Sequence, residues 1–169
     1  MTLSMYEASI PVLVHGLKSL EAVLGKAAAH AEAKKIDPAV LLASRLYPDM
    51  FPLSRQVQIA ADMAKAGASR LAGLTPPSFE DNEKSFEELQ ERLRRTVAHL
   101  ETVRPEQVNG TEERVVTWPT RLGDRSLAGQ PYLTLWILPN FYFHATTAYD
   151  ILRHNGVELG KADFLGKLF

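Results

Sequence analysis

Cysteine is absent from the 169 residues, which excludes disulfides, thiolate metal sites and a cysteine nucleophile and fits a reducing compartment. An excess of charge is absent too. Nineteen Lys and Arg stand against twenty Asp and Glu, a formal net charge of -1, so no large field is available to hold nucleic acid or an anionic membrane. Long apolar runs are missing: Ile10 to Val14 and Leu133 to Leu138 are both too short to span a bilayer, and no basic stretch precedes Lys18 to open a signal segment. Phosphate-cradling glycine loops and a Gly-x-Ser-x-Gly elbow do not occur, which argues against nucleotide chemistry and an aimed serine nucleophile. These absences lead us to expect a cytoplasmic protein with no nucleic-acid partner, no membrane partner and no cofactor.

What is present is helical patterning, in a chain 46% hydrophobic and 23% charged that suits a single domain over residues 1–169. Tyr6, Ile10, Leu13, Leu17, Leu20 and Leu24 recur at three or four, which predicts a first helix from Leu3 to Ala33, kinked at Pro11. Asp37-Pro38 starts a short helix through Leu46. A second long helix, Leu53 to Ala72, carries the small-residue face Val57, Ala60, Ala61, Ala64, Ala68 and Leu71, and ends at Gly73. The third, Asn82 to Val103, buries Phe86, Leu89, Leu93, Val97 and Leu100; its Glu88/Arg92 and Glu91/Arg95 pairs read as a solvated face. Arg114 to Trp118 is rich in strand formers and Leu122 to Arg125 supplies turn chemistry, so a small hairpin is expected there. The fourth long helix runs from Gln130 to Asn155, bent at Pro139, and the apolar tail with Phe164, Leu165, Leu168 and Phe169 is expected to fold back on it. The fold class is therefore all-α, an up-down four-helix bundle with a short extra helix after helix one and a small β-hairpin between helices three and four.

The segments from Met5 to Ala27, Phe51 to Gly73 and Pro139 to Gly166 resemble the domain-of-unknown-function family DUF1993, across nearly the whole chain. That family is similar to the DinB/YfiT-like superfamily of candidate metalloenzymes, and the resemblance implies a bundle that is commonly dimeric. The superfamily pattern supplies one histidine from the second helix and an HxxxH pair from the fourth, converging on one ion. In this sequence the first histidine of the pair falls on His144, the second position is Ala148, and the helix-two position is Gln58. An amide is a weak zinc donor and a methyl is none, so no metal is expected.

His144 reads either as a buried histidine satisfied by a polar neighbour or as a functional imidazole. Gln58 and Asp62 lie one turn apart and could face it; Asp62 beside His144 would raise the imidazole pKa and fix its tautomer. The alternative for Asp62 is a pair with Lys65. Pro11 precedes His15 and Pro139 precedes His144, so two kinked helices would each carry a histidine just past the bend. The residues thus suggest an internal polar cavity lined by His15, Gln58, Asp62 and His144, with Tyr142, Trp136 and Tyr149 as walls. His30 and His99 read as surface residues and His154 as a helix C-terminal charge. The expected function is small-molecule binding or a structural role in a metal-free pocket. The alternative is a metal-assisted, thiol-dependent transferase or isomerase using His144. A homodimer is the expected partner state, from the small-residue face and the apolar tail.

Overall fold

A computed structural model describes residues 3–167. It is mostly helical with one small antiparallel sheet: α1 (Ile10–Lys34), α2 (Pro38–Ala43), α3 (Leu53–Leu71), α4 (Phe86–Glu101), α5 (Pro105–Val108), β1 (Val115–Thr120), β2 (Gly123–Ala128), α6 (Gly129–Pro131), a π-helical segment (Tyr132–Ile137), α7 (Leu138–His154) and α8 (Lys161–Leu165). Helix α3 packs against α4 and α7, and α1 against the same two helices. Their apolar stripes meet in one core, where Leu13, Leu17, Leu24, Val57, Ala61, Leu89, Leu93 and Phe141 are fully buried.

The prolines behave differently from the expectation of two kinked helices. Residues 5–9 form turns, so Pro11 sits in the first turn of α1, where its missing N–H has no intrahelical acceptor to lose. No kink arises at Pro11. Before Pro139 the backbone widens into the π-helical segment, the insertion of an extra residue into the turn that accommodates a ring with no amide donor. The Asn140 side chain donates to the Trp136 carbonyl at 2.7 Å and so satisfies one acceptor of that irregular turn.

Helix α4 starts at Phe86 rather than Asn82, because Ser85 is the cap that accepts from the Glu88 amide at 3.1 Å. The acidic stretch before it is drawn onto Arg92 instead of opening the helix. Arg92 itself is only 1% exposed, so this helix face is not simply solvated; Arg95 lies over the Phe79 ring, and Glu91 pairs with Arg94 instead. His99 is likewise drawn inward: its Nε2 meets the buried Ser69 hydroxyl at 2.8 Å, and burial, followed by the nearby Lys65 charge, lowers its pKa.

The hairpin pairs Val115 with Ala128 through Thr120 with Gly123, which puts Arg121 and Leu122 at its turn. Alternation along β1 turns Val116 and Trp118 inward, and Trp118 stacks near Tyr132 and Trp136 with centroids 4.8 and 5.3 Å away. The small-residue face of α3 is consumed within the chain. Val57, Ala60, Ala61, Ala64, Ala68 and Leu71 are all fully buried, and a Cβ at the neighbouring Gly67 would come within 2.6 Å of Ile137, so the small residues serve close approach of the segment before α7. Phe164 packs against the core; Leu168 and Phe169 lie outside the described residues.

Candidate functional site

His144 is half-buried on α7, and its Nδ1 lies 2.7 Å from Oε1 of Gln56 on α3. Gln56 is 1% exposed, and its Nε2 donates to the Phe51 carbonyl at 3.1 Å. That second bond fixes which end of the amide faces the histidine: an oxygen, which can only accept. Nδ1 of His144 therefore carries the proton and Nε2 keeps a lone pair. Burial, then the positive charge of Arg55, lowers the imidazole pKa, so the ring is neutral at pH 7. Ala148, one turn along, is fully buried.

Sequence reasoning chose Gln58 and missed Gln56. Residues two apart face different directions on a helix, and only Gln56 shares the face of Ala60 and Gly67, at spacings of four and eleven that point toward the α7 side. That periodicity was the signal available. Gln58 instead donates to Glu83 at 2.8 Å and accepts from Arg55 at 3.2 Å.

Asp62 pairs with Lys65, the alternative that the sequence left open, and also with Arg92, both at 2.9 Å. Arg92 further pairs with Asp81 at 2.9 Å and Glu83 at 2.8 Å and donates to the Glu80 carbonyl at 3.0 Å. Burial works against the ionised form of Glu83, but its hydrogen bonds from Arg92 and Gln58 outweigh that and hold its pKa below the usual carboxylate range. This cluster clamps the segment before α4 onto α3. It occupies Asp62 as a structural anion, not as a base beside His144.

His15 is elsewhere again. With Tyr142 and Tyr149 it lines a cavity of about 170 Å³ between α1 and α7, walled by Phe141 and Val23 and covered by Phe164 of α8. The Nε2–H of His15 donates to the Leu165 carbonyl at 2.6 Å, and Lys26 pairs with Asp163 at 2.6 Å, so two contacts from α1 hold the covering helix. A Cβ at Gly16 would fall 2.5 Å from the Phe141 ring, so only glycine lets that wall stand where it does. The structure thus does not bring the four sequence-derived residues into one polar cavity. It places His15 in a mainly apolar cavity with two of the three expected wall aromatics, Gln58 and Asp62 in an ion cluster, His144 on Gln56, and Trp136 beside the hairpin.

Residues 5–165 match the family model described as Domain of unknown function (DUF1993). The chain belongs to the DUF1993 family. It is similar to the crystal structure of a DinB family member protein from Shewanella denitrificans, with 42% identity, coverage of 96% of this chain and 92% of that one, and a TM-score of 0.90. Among curated proteins nothing matches. The three-ligand pattern that the DinB resemblance implies does not fit this DUF1993 chain. Gln58, at the helix-two position, is tied to Glu83 and Arg55, the neighbouring Gln56 spends its oxygen on the histidine proton, Ala148 offers no donor, and among the described residues no three His, Cys, Asp or Glu side chains are grouped to hold an ion.

Proposed function

We propose that this DUF1993 protein is an up-down four-helix bundle that binds a small, largely apolar molecule in the cavity beneath α8, with a histidine–glutamine pair at the place where the DinB/YfiT-like pattern would put a metal. The observation that carries this reading is the cavity itself. Its volume of about 170 Å³ is close to the ~150 Å³ at which an apolar protein cavity stays dry and takes up benzene. Tyr142 and Tyr149 bring phenol hydroxyls that no group among the described residues engages. An aromatic ring bearing one polar substituent matches that lining. His15 contributes by holding the cover, which is its role as a positioning residue.

Thermal unfolding in the presence of phenol and benzene tests this. A ligand at about a hundred times its Kd stabilises by roughly 2.7 kcal/mol, which for a chain of this size is a Tm increase of about 5–11 °C. Ala145→Leu or Ser19→Leu, each filling the cavity, abolishes the increase. No shift in the parent protein, or the same shift in both filled variants, sinks the proposal.

A further inference from the structure

We infer that the cleft between α3, the Pro76–Phe79 segment and the hairpin is a second binding site, one that takes a small aromatic carboxylate. This open cleft encloses about 910 Å³ and is lined by Trp118, Trp136 and Phe79 together with several cations and a single acid, Asp62. Charge commitment separates those cations. Lys65 is taken by Asp62, and Arg55 by Asp81. Asp62 in turn is shared between Lys65 and Arg92. Arg70 is half-buried and, among the described residues, donates only to the Tyr132 hydroxyl at 3.2 Å. Arg121, exposed at the hairpin turn, forms no ion pair among the described residues. The charges left uncommitted in the cleft are therefore both guanidiniums, the groups best shaped to fork onto a carboxylate.

Trp118 adds an independent observation. It is 4% exposed and lines the cleft, and its buried indole N–H has no acceptor. A buried donor left unpaired is unfavourable, so the indole wall of the cleft is not fully satisfied in the unliganded chain. Tyr132 links the two halves of the site, because its ring stacks on Trp118 while its hydroxyl receives Arg70. The partly exposed Trp136 ring offers a face to a planar ring, and the arginines accept its anion. A neutral ring lacks the partner for Arg70 and Arg121; an anion without a ring lacks the partner for the indoles.

The chain has two tryptophans, and both line this cleft, so tryptophan emission reports the site directly. Titration of the full chain with sodium benzoate gives a saturable emission change. Benzamide, the neutral shape match, and acetate, the bare anion, each bind at least fivefold more weakly. Arg70→Gln weakens benzoate binding at least fivefold. Arg121→Gln weakens it at least threefold, and because this residue sits on an exposed turn the variant keeps the parental Tm. Binding in the cavity beneath α8 is untouched by either substitution, so this proposal fails or stands apart from that one. Absence of a saturable change with benzoate, benzamide binding as tightly as benzoate, or parental affinity in either variant overturns it.

Discussion

Replacing Arg92 by leucine is the sharpest perturbation of the architecture described above. The guanidinium is 1% exposed and faces Asp62, Asp81 and Glu83 at 2.8 to 2.9 Å. Removing one partner of a buried ion pair costs about 3–5 kcal/mol, because the other charge is left without compensation. Two features place this case at the lower end. Asp62 retains Lys65 and Asp81 retains Arg55, and both carboxylates are about a third exposed, so water relieves part of the loss. Glu83, 10% exposed, is the carboxylate most harmed. The expected destabilisation is about 3 kcal/mol, which in a chain of this length lowers Tm by roughly 6–12 °C. Calorimetric or circular-dichroism melting measures it, with Lys18→Met as control. The Lys18–Glu101 pair is more than half exposed on both sides, so that change stays near zero. A fall of less than 3 °C for Arg92→Leu, or one no larger than the control, would refute the claim that this cluster clamps the segment before α4.

Gln56→Leu removes the acceptor for the half-buried His144 and the donor for the carbonyl of Phe51, itself an exposed residue; a typical hydrogen bond contributes about 0.5–1.5 kcal/mol, so denaturant unfolding should show a loss of about 1–3 kcal/mol, whereas Gln56→His restores one of the two bonds and loses less. The pH dependence follows from His144 and His99, whose folded pKa values are both lowered. Below their unfolded value of about 6.5 the unfolded chain takes up protons that the native chain resists, so stability present above that pH declines as pH falls from there toward the folded values. Glu83, lowered from the carboxylate range, adds a separate loss at more acid pH. Urea titrations from pH 8 to 5 should reveal the first decline, and its absence in the parent protein, or its persistence in a His144→Gln/His99→Gln variant, contradicts the assignment.

How much of this was legible in the sequence depends on whether a residue's neighbours are local. The long helices could be read because their apolar spacing is local information: Leu13, Leu17, Leu20 and Leu24 announce one face whatever lies opposite. Pro11 was misplaced because local pattern does not say where a helix begins; the turns before Ile10 decide whether a proline bends a helix or opens it. The polar residues were harder still. Arg92 and Glu88 have the spacing of an exposed pair, yet Arg92 is captured by acids from two other segments, and nothing within four residues signals that. Gln56 shows the intermediate case. Its place on the helix face was in the periodicity, whereas its bond to a histidine 88 residues away required the fold. The cavity belongs wholly to packing, since it exists only where Gly16, Phe141 and the cover from α8 come together.

Crystals of the protein pressurised with xenon test the central claim most directly, because xenon partitions into apolar cavities and reports them by anomalous scattering. The account predicts a strong peak between α1 and α7, ringed by Phe141, Val23 and Phe164, that disappears in Ala145→Leu. A structure in which side chains fill that volume, or in which xenon settles elsewhere and leaves it bare, contradicts it.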